Sequence, residues 1–255
     1  MEEKKQEILQ KIEEAEYVLV GLGQDFDMEF FLQSREEYGN IRQQLQEQGA
    51  LWLLPYVEAQ LRKRDLPEME AETERGLQNL AKILEKKSYF VVSSATNPKL
   101  AKIPWKKLLL KKERYVAPCG DWTKKQCPDG CEGGILPVTA EDEEALQQWF
   151  AGLQKGSFEL PLLGTCPNCG KSLILNNVYA DRYDEKGYLQ NWSDYQNWLQ
   201  NTLNHKMVLL EIGEGNRFPS IIRSPFERIA MFQQKADLYS IEGEQNPIAW
   251  LLSLC

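Results

Sequence analysis

The chain has 255 residues, of which 42% are hydrophobic and 27% charged, a composition that supports a folded core and excludes a wholly disordered chain. Its net charge is −8 and its pI is about 5.0. Because an acidic surface repels phosphate backbones and anionic lipid headgroups, bulk electrostatics argue against nucleic acid and membranes as partners.

The compartment follows from the absence of targeting signals. The N-terminus has no apolar signal core, and no segment approaches the ~20 apolar residues of a membrane span. We therefore expect a cytoplasmic protein with reduced thiols, in which six cysteines indicate metal binding or catalysis before disulfides. One basic cluster is interpreted as a solvated rim, with an anion-binding patch as the alternative. It consists of Lys106, Lys107, Lys111, Lys112 and Arg114.

Strand-like and helix-like segments alternate along the chain. Residues 2–16 have the pattern of an amphipathic helix. Five short apolar runs follow, at 17–20, 89–92, 114–117, 207–212 and 237–241, and each ends in small or polar residues. Helical patterns cover 66–84 and 192–203, and Pro225 stands at the start of another. Continuous apolar runs that alternate with helices predict an α/β fold with a doubly wound parallel sheet.

The same pattern predicts the domain organisation. Residues 1–118 and 170–255 are expected to form a Rossmann-like nucleotide-binding domain, with 28–87 as a helical excursion rich in Gln and Glu. Residues 119–169 contain no strong strand run and are expected to form a small zinc-binding insert. Ligands of such sheets bind at the carboxyl ends of the strands.

Four cysteines have the spacing of a zinc ribbon. Cys127 and Cys131 are separated by three residues, Cys166 and Cys169 by two, and Pro and Gly lie beside each pair. Two tight turns that each present two thiolates supply a tetrahedral site. The alternatives are reduced pairs without metal, or a disulfide. Four protein ligands leave no open position, so we expect a structural zinc ion.

Two cysteines remain, and the chain has a single histidine. Cys119 follows a predicted strand and is either a nucleophile or redox thiol at the ligand edge, or a small buried filler. Cys255 is terminal, and no role is expected for it. A catalytic histidine base is close to excluded, since His205 is expected to be exposed.

The turns that follow the predicted strands are the candidate cofactor-binding segments. Glycines there let a backbone approach a phosphate, whereas acidic side chains oppose a pyrophosphate unless a cation compensates. The first turn comprises Gly21, Leu22, Gly23, Gln24 and Asp25, the second Ser93 and Ser94, and the third Gly213, Glu214 and Gly215.

Several of these segments together resemble the sirtuin family. They are 89–94, 119–122 ahead of the first cysteine pair, the second cysteine pair, and 209–226. The resemblance is to the microbial, macrodomain-associated branch, whose members act as protein ADP-ribosyltransferases. It implies zinc on the four cysteines and a dinucleotide, NAD or ADP-ribose, along Gly21, Gly23, Ser93, Ser94, Gly213 and Gly215. It also implies a protein substrate or a carrier-protein partner.

The chain departs from the family pattern at the cofactor turns. Leu22 and Asp25 stand where the family has alanine and serine, and Glu242 stands at an asparagine near the adenine. Ala95 replaces the asparagine that orients the nicotinamide ribose, and Asn97 replaces an aspartate.

The catalytic position also departs. Deacylating members have a histidine, and the transferase branch has glutamine, where this chain has Cys119. Two hypotheses follow. The first is a sirtuin-like module whose NAD-dependent ADP-ribosyl or acyl transfer is altered or lost and which works by binding. The alternative is an active NAD-dependent protein ADP-ribosyltransferase or deacylase, with Cys119, Asp121 and Asn97 as its catalytic candidates and with Ser94 and Asn97 on the ribose.

Overall fold

The computed structural model describes residues 2–105, 114–243 and 246–254. Lys106, Lys107, Lys111 and Lys112 of the basic cluster, and Cys255, lie outside the described residues. The helices are α1 (Glu2–Glu14), α2 (Glu29–Gln33), α3 (Glu36–Glu47), α4 (Leu54–Asp65), α5 (Pro67–Leu84), α6 (Lys99–Lys102), α7 (Ala140–Leu153), α8 (Leu189–Gln200), α9 (Arg223–Phe232) and α10 (Pro247–Leu252). The strands are β1 (Tyr17–Leu22), β2 (Ser88–Ser93), β3 (Tyr115–Val116), β4 (Gly120–Gln126), β5 (Leu136–Pro137), β6 (Ile174–Asn177), β7 (Met207–Ile212) and β8 (Ala236–Ile241).

The chain divides into two compact units. The first contains 1–28, 66–118 and 188–255, and the second contains 29–65 and 119–187. This division differs from the predicted boundaries at two places. The second unit continues to residue 187, and it includes the first half of the helical excursion.

The first unit is built on a parallel sheet of order β3-β2-β1-β7-β8. Its central strand β1 is in register with both neighbours, so that Leu19 lies beside Phe90 on β2 and Leu209 on β7. All five predicted apolar runs form these strands. The predicted α/β class with a parallel central sheet is therefore confirmed.

Alternate residues of each strand enter two separate cores. Val18 and Val20 belong to a cluster with residues of α1, α5 and α10, whereas Leu19 belongs to a cluster with residues of α8 and α9. Both faces of the sheet are therefore covered by helices. The strands are continuously apolar because a strand that is buried on both faces has no side exposed to water.

The second unit has a small antiparallel sheet of order β5-β4-β6. Residues 119–169, which contain no strong strand run in sequence, nevertheless form β4 and β5. The seven residues of β4, Gly-Asp-Trp-Thr-Lys-Lys-Gln, hold one large apolar side chain and give no apolar run. Residues 29–65 join this unit because Asn177 Nδ2 donates to the Trp52 carbonyl at 2.9 Å and the Tyr56 ring packs edge-on against Trp122, centroids 5.3 Å apart.

Among the described residues, the structure contains no helix with the length and apolar character that crossing a membrane requires.

Candidate functional site

The second unit gathers the four predicted metal ligands. The Sγ atoms of Cys127, Cys131, Cys166 and Cys169 all lie within 4.8 Å of one another. The sulfurs of Cys127 and Cys169 are 3.6 Å apart. A tetrahedron with Zn–S bonds of ~2.3 Å has S···S edges of about 3.8 Å, so this cluster has the size of a zinc site.

Each cysteine pair is presented by a tight turn. In the first, the Gly130 N–H donates to the Cys127 carbonyl at 3.0 Å, and Gly130 has φ of +67°, which favours glycine. In the second, the Gly170 N–H donates to the Cys166 carbonyl at 2.9 Å, and Gly170 has φ of +74°. These glycines let each chain turn back so that two sulfurs face the same point.

Polar contacts join the two turns. Lys171 Nζ donates to Asp129 Oδ1 at 2.9 Å, and Asn168 Nδ2 donates to the Glu132 carbonyl at 2.5 Å. Four thiolate donors suit zinc, which is held by four cysteines in many closed structural sites. The four cysteines could therefore bind a zinc ion, and the four thiolates would leave no open position on it.

The first unit places the predicted glycine turns at the carboxyl ends of β1 and β7, where they pack directly against each other. A Cβ built on Gly23 would lie 2.2 Å from the Gly213 carbonyl oxygen and 2.3 Å from Glu214 Cα. The Asp25 N–H donates to the same Gly213 carbonyl at 3.0 Å. Glycine is required at position 23 because the third turn contacts its backbone.

Neighbouring residues of the first turn are also packed internally. A Cβ on Gly21 would lie 2.3 Å from Ile222 Cγ2 at the start of α9, and Leu22 is fully buried in the core. Gln24 lies over Gly215, since a Cβ there would be 3.1 Å from Gln24 Oε1.

The predicted serines point into this junction. Ser93 Oγ accepts a hydrogen bond from the Ala95 N–H at 3.1 Å. Ser94 Oγ donates to Glu214 Oε2 at 2.9 Å, and both side chains are fully buried. Since β1 lies between β2 and β7, this bond passes across the carboxyl end of the central strand.

Glu214 is held in an unfavourable setting for a charge. Burial and the carboxylates of Glu211 and Glu242 raise its pKa to about 7, although Ser94 and Arg223 act in the opposite direction. Its Oε1 is buried and has no hydrogen-bond partner. A buried carboxylate oxygen without a donor is rare and costly in folded proteins.

Further carboxylates lie near the same edge. Partial burial of its carboxyl group and the nearby Glu242 raise the pKa of Asp25, although the residue as a whole is exposed. Arg223, at the start of α9, donates to Glu211 Oε1 at 2.8 Å and also bonds Glu242. No role was predicted for Arg223 or Glu211 from the sequence. The signal was a lone glutamate inside the buried run 207–212, which requires a cation partner.

The segment after β2 is also satisfied internally. Asn97 Nδ2 donates to the Phe26 carbonyl at 3.1 Å, and its Oδ1 accepts from the Lys99 N–H at 3.1 Å. The Asp27 carboxylate, which sequence reasoning missed, accepts from the Thr96 N–H at 2.9 and 3.0 Å.

The other two catalytic candidates belong to the second unit. Cys119 is fully buried, and its carbonyl accepts from the Val178 N–H at 2.9 Å. Asp121 Oδ1 accepts from the Thr123 N–H at 2.7 Å and its hydroxyl at 2.5 Å. A fully buried thiol fits the expectation of a small core residue better than that of an accessible nucleophile.

Comparisons with known proteins identify the fold. No protein-family model and no curated protein sequence matches the chain. Among solved structures, a mutant Sir2 homologue in complex with ADP-ribose matches with a TM-score of 0.52 and 11% identity, over 97% of this chain and 94% of that one. A complex of a Sir2 homologue with NAD has a TM-score of 0.49 and 12% identity, over 96% of this chain and 85% of that one. The chain therefore has the fold of Sir2 homologues, together with a four-cysteine cluster that could bind zinc.

Proposed function

We propose that this chain is a sirtuin-fold zinc protein in which NAD-dependent ADP-ribosyl or acyl transfer to protein substrates is altered or lost. The observation that carries the proposal is the buried bond between Ser94 and Glu214. The fold of the ADP-ribose-bound Sir2 homologue makes the carboxyl ends of the strands the expected dinucleotide site. In this chain a carboxylate is buried at that edge.

Three hydrogen-bond donors at this edge are already used by the chain itself. Diphosphates bind where backbone N–H groups and hydroxyls converge on their oxygens. Here the Ser94 hydroxyl donates to Glu214, the Asp25 N–H to Gly213, and the Gly23 N–H to Ile212 at 2.9 Å. The chain's own groups therefore compete with the phosphates for these donors.

The negative charge at this edge also disfavours the binding of a diphosphate. Asp25, Glu214 and Glu242 lie at the junction, and the Arg223 guanidinium is already bound to Glu211 and Glu242. A diphosphate would bring two more negative charges into a partly buried site, where screening by water is weak. The residues present do not fit a pyrophosphate.

Groups that would act on the nicotinamide ribose are changed as well. Ala95 has no side-chain amide, and the Asn97 amide bonds Phe26 and Lys99. Cys119, at the position of the family's general base, is fully buried.

We therefore place the protein's role in binding, with a protein or carrier-protein partner in the cytoplasm. The exposed Phe30 on α2, 81% accessible, is available to such a partner.

Calorimetry with NAD and ADP-ribose, followed by an assay for released nicotinamide, tests the proposal. The zinc-loaded wild-type protein is expected to bind neither ligand below millimolar concentration and to release no nicotinamide. A double variant, Asp25→Ser with Glu214→Gln, removes two carboxyl groups and is expected to bind ADP-ribose more tightly than wild type. Micromolar NAD binding with nicotinamide release by wild type would instead support the active-enzyme alternative.

A further inference from the structure

The carboxyl edge of the parallel sheet concentrates negative charge around one unsatisfied atom. Glu211 is the penultimate residue of β7, Glu214 and Asp25 lie in the facing turns, and Glu242 follows β8. Arg223 is in contact with Glu211 and Glu242 and lowers the pKa of Glu214 only as a distant charge. Arg223 therefore bonds two of these four carboxyl groups, Glu211 and Glu242.

One carboxylate oxygen at this edge, Oε1 of Glu214, has no hydrogen-bond donor among the described residues. Glu214 is 0% exposed, and only Oε2 has a partner, so Oε1 is a buried acceptor with no donor in the described chain. A buried acceptor of this kind is normally satisfied by an ordered water molecule or by a donor group of a ligand. An acceptor on a carboxylate calls for an N–H or O–H donor.

The distances between the carboxylates indicate whether this edge suits a single metal ion or a larger ligand. Among the described residues, the four cysteines are the group that brings three or more ligand atoms within 4.8 Å. The carboxylates of Asp25, Glu214 and Glu242 therefore do not converge on a single ion, and a divalent cation that needs six oxygens finds no ready site. Their charge is spread over the edge, as suits a ligand with several donors.

We propose that this edge binds an organic cation with two or more N–H donors, such as an alkylamine or alkylguanidinium, and that Glu214 Oε1 is its buried acceptor. The inference rests on the proposed function, because it assigns the edge to a ligand of opposite charge to a dinucleotide. The cation replaces the missing donor at Oε1 and offsets the repulsion among Asp25, Glu214 and Glu242.

The affinity for the cation should depend on pH, and it should rise as the pH rises. A cation binds the ionised form of Glu214, whose pKa is about 7 in the free protein. About a tenth of the molecules are then competent at pH 6 and about nine-tenths at pH 8, so the apparent Kd at pH 6 is expected to be about tenfold higher. Arg223 keeps its charge throughout this range, since the neighbouring Glu211 and Glu242 raise its pKa.

Calorimetric titrations with agmatine and spermidine, at pH 6 and pH 8, test the inference on the zinc-loaded full chain. We expect binding at pH 8, an affinity about tenfold weaker at pH 6, and loss of that pH difference in Glu214→Gln. Glu227→Gln, on the exposed face of α9, is the matched control and should leave the affinity unchanged. Asp25→Asn, which retains the buried Glu214, should weaken binding about threefold.

Two results would overturn the inference. One is the absence of heat with both cations while the protein shows its normal melting curve. The other is an affinity that Glu214→Gln and Asp25→Asn leave unchanged, which would locate any binding elsewhere. Nicotinamide release from NAD tests the proposed function separately, since it reports on dinucleotide turnover and is independent of the cation titration.

Discussion

At the scale of single residues, Glu214 makes folding stability depend on pH. Its pKa rises from the ordinary 4.5 to about 7 on folding. Between these values the folded state binds more protons than the unfolded state, so stability falls as pH rises through that window. A shift of this size corresponds to about 3 kcal/mol at full burial, and to about 2 kcal/mol when some screening by solvent is allowed.

Replacing Glu214 by glutamine should therefore stabilise the protein in a pH-dependent way. A neutral amide keeps a hydrogen bond with Ser94 and removes the buried charge, so we expect the free energy of unfolding to rise by about 2 kcal/mol at pH 8 and by much less at pH 5. Urea denaturation at the two pH values measures this difference. Glu227→Gln, on exposed surface, should change stability at neither pH. A Glu214→Gln variant that is less stable at pH 8 would contradict the assignment.

At the scale of elements, the turns after β1 and β7 are fitted by their backbones. Gly23 touches Gly213 and Glu214 so closely that any Cβ would overlap main-chain atoms. The Gly213 main chain is held by hydrogen bonds to Ile241 and Asp25, so it cannot move aside as the end of a flexible side chain can. In contrast, Gly39 lies within α3, and a Cβ there would have no neighbour within 4 Å.

Alanine substitutions at these two glycines should have opposite effects. Gly23→Ala should destabilise the protein by about 2–3 kcal/mol through overpacking against the third turn. Gly39→Ala should stabilise it by about 0.5–1 kcal/mol, because alanine has the higher helix propensity. Thermal unfolding of the two variants beside wild type decides the matter. Equal melting temperatures for Gly23→Ala and wild type would mean that the two turns do not pack as described.

Local pattern predicts some of these elements and not others. The strands with continuous apolar runs were predictable because burial on both faces leaves a direct trace in composition. Strand β4 could not be predicted in this way, because its residues are mostly polar and it is extended only by pairing with β5 and β6. The cysteine site was predictable from spacing. The partner of Glu211 was not, because 30 lysine and arginine residues were available and the start of α9 decides which one reaches it.

At the scale of the whole molecule, each unit has its own source of stability. The parallel sheet has two extensive apolar clusters that cover its faces. The antiparallel sheet of the second unit has three strands, of which β5 contains two residues and β6 contains four. Sheets this small are marginal without further support. The four-cysteine cluster lies directly after β4 and before β6, where a bound ion would supply that support.

Loss of zinc should therefore loosen the second unit and leave the parallel sheet folded. Cys166→Ser removes one of four ligands, and we expect the variant to lose its bound zinc, as measured by metal analysis, and its protection from amide hydrogen exchange over β4 to β6. The amides of β1 and β7 should keep the protection that they have in wild type, because their bonds lie within the apolar clusters. Cys119→Ser, which leaves the four ligands in place, should retain zinc and serves as the control. Full zinc content in Cys166→Ser would exclude that cysteine as a ligand, and equal loss of protection in β1 would show that the two units unfold together.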